Sequence, residues 1–453
     1  MLTIHGYQRP KDSSELALKK ALTVRPFSIV KPQFQPKYPV YHEDKKYLYL
    51  PKHFGIERYG QVPSLRDVPE TPEVHWTFAG SIRPAQLPVV NSFLFPEPHD
   101  GIISLHTGGG KTVCALYIAS RLRLPTLVII HNSFLRDQWI DRVKAFLPNA
   151  RIGRVQADVC DVADKDIVIV MLQTLSMKEL NVDLFKPIGL VIVDECHHIA
   201  SEVFVQALPK VTSKYMLGLS ATPDRKDKLM YAIHWFLGPL LYKSETGDSV
   251  DTKVNVEVYE YQNDDPVFNE IVTSSQGMVS VPIMVNKLTG CEDRTKWLCR
   301  IIDDVMDTDR QMLVLSDRVQ HCEDILAGLT PELKEKACIL GTAVKADVRT
   351  EYCKTKAILI ATYSMCKEGF DVATLNTLMM ATPRPDIDQI VGRILRVEKK
   401  GRVVHPLIVD IVDPQFRRQF GQRNSLYKKR EYRVTKMALP SGSSSQMVGA
   451  EED

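Results

Sequence analysis

From Ser81 onward, short runs of aliphatic and β-branched residues alternate with amphipathic stretches, a texture that predicts parallel α/β architecture. The runs Gly101 to Leu105, Thr126 to Ile130, Ile167 to Met171, Leu190 to Val193 and Met216 to Leu219 predict one set of strands. Helical patterns lie between them. One is Ser133 to Phe146, where Ser133 is placed to cap the first turn. A linker near Ser244 to Asp251 introduces a second series, with strands at Met312 to Leu315, Cys338 to Leu340, Ala357 to Thr362, Thr377 to Met380 and Pro406 to Val412. Its helical patterns are Arg294 to Met306, Arg318 to Leu329 and Asp386 to Leu395. The pattern therefore predicts two tandem α/β units without obvious repetition of sequence. We expect a small N-terminal extension over 1–80, lobes over 81–245 and 246–415, and a basic tail over 416–453 with a frayed end. The extension is rich in Pro, Tyr and Lys, with one extended-looking run, Lys46 to Leu50; it reads as a separate module or an arm wrapped on the downstream chain.

Composition narrows the class. Of 453 residues, 44% are hydrophobic and 25% charged, which argues against a largely disordered or fibrous chain. The longest apolar runs, such as Leu124 to Ile130, fall far short of the roughly 20 residues a spanning helix needs, so no membrane association is expected. The N-terminal residues lack a basic start followed by an apolar core, so a secretory signal is not expected either. The nine cysteines show no C-x-x-C spacing and no close Cys/His quartet, and reduced thiols in an intracellular compartment are the simpler reading. The net charge of +3 is unevenly spread: Gln415 to Lys436 holds eight basic residues and one acid, Glu431. Such a segment suits either a polyanion contact or a solvated surface.

Three stretches carry candidate chemistry. Thr107, Gly108, Gly109, Gly110, Lys111 and Thr112 follow the first strand and open a helix. Three glycines clear the way for backbone amides to face phosphate, Lys111 adds a point charge, and Thr112 offers a hydroxyl to Mg²⁺. The strict phosphate-loop pattern asks for Gly where this chain has Leu105. Asp194 and Glu195 follow the apolar strand Leu190 to Val193, where a carboxylate can hold the water shell of Mg²⁺ and a second can polarise the attacking water. His197 and His198 lack further ligands at metal-binding spacing. Far downstream, Gln389, Arg393 and Arg396 lie in a basic amphipathic stretch; three residues apart, the two arginines share a helix face and can neutralise charge developing on a γ-phosphate.

Taken in order, these motifs resemble the superfamily 2 helicases and translocases over about Arg83 to Asp413. The resemblance implies two RecA-like lobes, ATP and Mg²⁺ as cofactors, and nucleic acid as partner, with DNA favoured over RNA. Arg83 and Gln86 look like the adenine-reading element. Ser220-Ala221-Thr222 is similar to the motif that couples hydrolysis to strand movement, and Glu368-Gly369-Phe370-Asp371 to the element touching ribose and phosphate, which implicates Gly369 and Asp371. Within the superfamily, Gly218 to Asp227 and Phe236 to Tyr242 resemble the xeroderma-pigmentosum-type repair and transcription helicases and their relatives in large DNA viruses, including the poxviral transcript-release helicase. Those repair helicases carry Arg-Glu-Asp where this chain has Arg225-Lys226-Asp227.

The family would place a nucleic-acid backbone near His131, Asn132 and Ser133, near Gln173 and Thr174, and near Thr362, each of which can equally be a cap or turn residue. Gln138-Trp139 reads as a packed helix face, base stacking being the alternative. The resulting expectation is an ATP-dependent DNA helicase or duplex translocase in transcription, repair or replication. An RNA helicase and a non-catalytic nucleic-acid scaffold are the alternatives. Transcription or repair machinery would be further partners, in the nucleus or cytoplasm, or in a factory or virion if the origin is viral.

Overall fold

The computed structural model describes residues 1–25, 37–62, 74–106, 108–198, 206–221, 229–244, 254–273, 279–306, 309–341, 344–366, 372, 374–395 and 404–437, and the chain divides into two compact units, Met1–Thr246 and Gly247–Asp453. The first begins with strands β1 (Leu2–Thr3), β2 (Gly6–Pro10), β3 (Thr23–Val24), β4 (Tyr38–Pro39), β5 (His42–Glu43) and β6 (Tyr47–Leu50). Of these, β1, β2, β6 and β5 form an antiparallel sheet in that order. Alternation in β6 buries Leu48 and Leu50 while Tyr47 and Tyr49 stay half-buried. The buried side shares one apolar core with a face of the following parallel sheet, through Leu2, Leu48 and Leu50 on one side and Ile102, Leu127 and Val191 on the other. A buried ion pair, Lys52 Nζ to Asp100 at 2.6 Å, adds a polar tie, and Lys52 also donates to the carbonyl oxygens of Ser213 and Lys214.

That parallel sheet contains β7 (Gly101–Ser104), β8 (Thr126–Ile130), β9 (Ile152–Gln156), β10 (Val159–Asp161), β11 (Ile167–Met171), β12 (Leu190–Val193), β13 (Tyr215–Ser220) and β14 (Leu240–Lys243). Its order is β10-β9-β11-β8-β12-β13-β7-β14, parallel throughout except at the β10–β9 edge. Every residue of β7, β8 and β12 is buried, which is why these strands read as unbroken apolar runs rather than alternations. Helices α1 (Lys111–Leu122) and α2 (Ser133–Phe146) follow β7 and β8. The cap of α2 is Asn132, whose side chain accepts from the Leu135 amide at 2.8 Å; Ser133, the expected cap, is already helical.

The second unit is built on β15 (Asn255–Glu260), β16 (Met312–Ser316), β17 (Ala337–Leu340), β18 (Ile358–Thr362), β19 (Thr377–Met380), β20 (Leu407–Val412) and β21 (Arg433–Lys436). The order is β17-β18-β16-β19-β20-β15-β21, with every pairing parallel. Helices α3 (Glu292–Val305), α4 (Val319–Gly328), α5 (Asp388–Val391) and α6 (Arg417–Lys429) belong to it, and separate apolar cores cover the two sheet faces. The stretch read as a basic tail is therefore regular structure up to Lys436: α6 packs on the sheet and β21 extends it beside β15. The reason lies in Asp410, fully buried in the middle of β20. Arg423 of α6 meets its carboxylate at 2.8 Å and Tyr427 donates to it at 2.8 Å, so two tail residues satisfy a core charge. Residues 438–453 lie outside the described residues. No helix among the described residues is long and apolar enough to cross a membrane.

Candidate nucleotide-binding site

The site of the first unit forms where parallel strands end. In sheets of this kind ligands sit beyond the carboxyl ends, where loops and helix N-termini converge. Here β7 feeds the glycine loop and α1, β12 delivers Asp194 and Glu195, and β13 ends at Ser220. Gly108 and Gly110 have φ of +84° and +86°, left-handed values that a side chain would oppose. At Gly110 there is a second reason: a Cβ would lie 2.2 Å from Gln86 Nε2. Gln86, buried in the short turn Pro84–Gln86, donates to the Gly109 carbonyl at 3.2 Å and accepts from the Arg83 amide at 3.1 Å. Of the two residues expected to read adenine, Gln86 thus braces the glycine loop, and the Arg83 amide holds Gln86. Thr112 stands half-buried in the first turn of α1, while Thr107 lies outside the described residues.

Lys111 Nζ is 3.2 Å from Glu195 Oε1 and 3.5 Å from the Leu105 carbonyl oxygen. Glu195 has φ +47°, an uncommon conformation for a residue with a Cβ, and its amide donates to Asp194 Oδ1 at 2.9 Å. Asp194 is buried, and its other oxygen accepts from the indole of Trp139 at 2.8 Å. Burial above all, and then the neighbouring Glu195, push the Asp194 carboxyl up to about 6; Lys111, Trp139 and the Glu195 amide work against that shift. His197 Nδ1 lies 3.3 Å from Glu195 Oε2 and 3.0 Å from Ser220 Oγ, so the Asp-Glu element and the Ser-Ala element meet through one imidazole.

Two participants escape sequence reasoning. Trp139 looks like any aromatic on a packed helix face, yet its N–H anchors a carboxylate 55 positions away. His197 presents itself in the sequence only as a metal-ligand candidate. Neither link has a spacing signature, because each crosses from one strand's loop to another element.

The expected backbone contacts divide between the units. His131, Asn132 and Ser133 follow β8, Gln173 and Thr174 begin the helix after its sheet neighbour β11, and Gln173 Nε2 donates to the His131 carbonyl at 2.8 Å. Thr174 Oγ1 accepts from the Ala157 amide. In the second unit Thr362 ends β18 with its hydroxyl 3.0 Å from that of Ser364. Arg393 is buried in a 3-10 turn, Gly392–Leu395, that continues α5. Gly369, Asp371, Arg396 and the Gln389 side chain lie outside the described residues.

A glycine loop between strand and helix, a lysine reaching an Asp-Glu pair at the end of another strand of the same sheet, and a second parallel-sheet unit define a nucleotide-binding protein of two RecA-like units. Residues 79–225 match the family described as type III restriction enzyme, res subunit. The chain is 31% identical over 440 residues to a protein of Acanthamoeba polyphaga mimivirus, across 94% of this chain and 83% of that one. It is 27% identical over 363 residues to a protein of African swine fever virus, across 74% and 69%. Both carry the name "Putative ATP-dependent RNA helicase". Among solved structures, Saccharomyces cerevisiae Dbp5 bound to RNA and ADP-BeF3 is 13% identical with a TM-score of 0.54, across 76% of this chain and 87% of that one, a likeness of fold. The chain belongs to the superfamily 2 helicases, in company with relatives from large DNA viruses.

Proposed function

We propose that the chain hydrolyses ATP with Mg²⁺ and uses the energy to move on DNA, as a helicase or duplex translocase. The observation that carries this reading is the Lys111–Glu195 pair at 3.2 Å beside the buried Asp194. Two carboxylates against one ammonium leave a local excess of negative charge, which suits a divalent cation; Thr112 and Asp194 would hold it, and it would neutralise charge on the phosphates. The phosphates compete with Glu195 for Lys111, and exchange of that partner releases Glu195 to orient the attacking water. In phosphoryl transfer the protein supplies position and charge. The reading gives Gln86 and Arg83 the adenine, the glycine loop the phosphate oxygens, and Gln389, Arg393 and Arg396 the charge that develops on the transferred group. Gly369 and Asp371 take the ribose side, and Thr362 joins the residues after β8 and β11 in holding the nucleic-acid backbone. The Glu195–His197–Ser220 contacts offer a route by which a change at the hydrolytic carboxylate reaches the next motif.

Lys111→Ala and Glu195→Gln are the test. Each is expected to abolish ATP turnover, the second with ATP binding retained, and turnover that survives both changes sinks the assignment. RNA is the second reading, favoured by the names of the two viral relatives. Stimulation of ATP turnover by duplex DNA, single-stranded DNA and RNA separates the readings.

A further inference from the structure

Helix α6 divides its residues sharply. Arg423 and Tyr427 point into the second unit and are spent on Asp410. Arg418, Gln422, Ser425 and Lys429, spaced i, i+4, i+7 and i+11, fall on one stripe of the helix and are all exposed, with Arg417 and Lys428 beside them. No acid occurs between Pro414 and Arg430. The next strand, β21, adds exposed Arg433 and Lys436 at the edge of the sheet. The acids near this surface are few. Glu260 lies 3.6 Å from Arg417 and 3.3 Å from Lys436, Asp388 takes Arg430 at 2.7 Å, and Glu431 is exposed at the turn. Arg418, Lys428, Lys429 and Arg433 make no ion pair among the described residues.

Charged side chains on β21 can be explained as protection of an open edge. That explanation does not extend to the helix, which has no edge to guard. Nor does the exposed set include an aromatic ring: it is Arg, Gln, Ser, Lys, Thr and Gly with Glu431, Val434 and Met437. Single strands are gripped largely by stacking bases on aromatic faces, whereas a duplex keeps its bases inside and offers phosphates. From Arg418 to Lys429 the helix rises about 16 Å, a length over which one strand of a duplex carries about five phosphates.

We propose that the outer face of α6 with β21 is a docking surface for the phosphate backbone of duplex nucleic acid. It contacts the duplex without reading sequence and is additional to the loops after β8, β11 and β18. The inference deepens the motor reading above and rests on it for the choice of polyanion. The surface is also mechanically tied to the arginine element: Arg430 Nη2 donates to both carboxylate oxygens of Asp388 at the start of α5, at 2.7 and 3.0 Å, and Arg423 donates to the Arg384 carbonyl at 2.9 Å.

The test is the salt dependence of binding to a fluorescein-labelled 20-base-pair DNA duplex, without nucleotide, for the full chain and for the quadruple variant Arg418→Gln, Lys428→Gln, Lys429→Gln, Arg433→Gln. Four lost phosphate contacts flatten the slope of log K against log salt by up to about 3.6, and we expect a loss of at least about 1 with weaker binding at low salt. A Lys428→Arg, Lys429→Arg variant should bind like the parent. Unchanged slope and affinity in a quadruple variant that melts like the parent overturn the proposal. So does unchanged duplex binding accompanied by lost affinity for a polyglutamate tracer, which points to an acidic protein instead. A second measurement needs no variant: bound duplex should shield Lys428 and Lys429 from an amine-acylating reagent, and equal labelling with and without duplex refutes the surface. ATP turnover is read in the same samples. A flattened slope with no turnover in the parent would leave the surface standing and remove the motor reading; normal stimulated turnover with an unchanged slope would do the reverse.

Discussion

Trp139→Phe isolates one hydrogen bond at the centre of the site. The indole is 1% exposed and packs in the core on one face of the first parallel sheet, and its N–H donates to Asp194 at 2.8 Å. Phenylalanine keeps most of the apolar contact and removes the donor. Asp194 then retains the Glu195 amide on Oδ1 but loses its partner on Oδ2, inside a buried position where water offers little compensation. A hydrogen bond to a charged acceptor is worth about 1.5–3 kcal/mol, so if the carboxylate must be held for turnover the rate falls about 10- to 160-fold. Each kcal/mol lost from the fold lowers the melting temperature of a unit this size by about 2–4 °C. The assay is steady-state ATP turnover at saturating nucleic acid, with melting recorded in parallel. Trp76→Phe serves as the control, since the buried Trp76 Nε1 has no hydrogen-bond partner among the described residues and its loss should leave turnover unchanged. Turnover within twofold of the parent in Trp139→Phe, despite a lowered melting point, would refute the idea that this indole positions Asp194.

Two further outcomes concern other residues. Gly110→Ala puts a Cβ at φ +86° and 2.2 Å from Gln86 Nε2, so the loop must shift and lose its brace; ATP KM should rise about tenfold or more, and an unchanged KM refutes the bracing role. His321 is fully buried in α4, with Nδ1 2.9 Å from Ser316 Oγ, and burial, helped by nearby Arg294, lowers its pKa to about 3. The unfolded chain takes up this proton below about pH 6.5 and the folded chain does not until near pH 3, so the contribution to stability is full above pH 6.5 and is lost as pH falls. Between pH 7.5 and 5.5 the second unit should lose about 1.4 kcal/mol that a His321→Asn variant does not lose, measured by urea denaturation; identical pH dependence in the two proteins contradicts this.

Where a strand is buried on both faces, sequence and structure agree closely. Thr126–Ile130, Ile167–Met171, Leu190–Val193 and Thr377–Met380 have the same bounds in both, because an unbroken aliphatic run bounded by polar residues leaves little latitude. Strand β15 is invisible to the pattern although it sits between β20 and β21. Asn255, Glu257 and Glu260 break its apolar run, and its place in the sheet depends on partners more than 140 residues downstream. The phosphate loop and the Asp-Glu pair are legible because each is local: a turn needs glycine, and a carboxylate follows a strand. Their mutual geometry is not, since Lys111 and Glu195 meet only through the sheet order. The count of basic residues near the end of the chain misleads in one respect. Arg423 contributes to that count yet is 1% exposed and neutralised by Asp410, so it belongs to the interior and not to the surface field.

The burial of Asp410 also bears on how the polypeptide matures. Strand β20 emerges from the ribosome before α6, so its aspartate has neither Arg423 nor Tyr427 to meet until some fifteen more residues have been translated. An uncompensated interior carboxylate costs several kcal/mol, about 3–5 when a buried partner is removed. The second unit can therefore complete its core only after the basic helix has left the exit tunnel, whereas the first unit can be finished by then. A premature stop near Gln415 would consequently yield a nascent product with a sound N-terminal half and an unripe C-terminal one, a target for cellular proteases before it ever met a substrate.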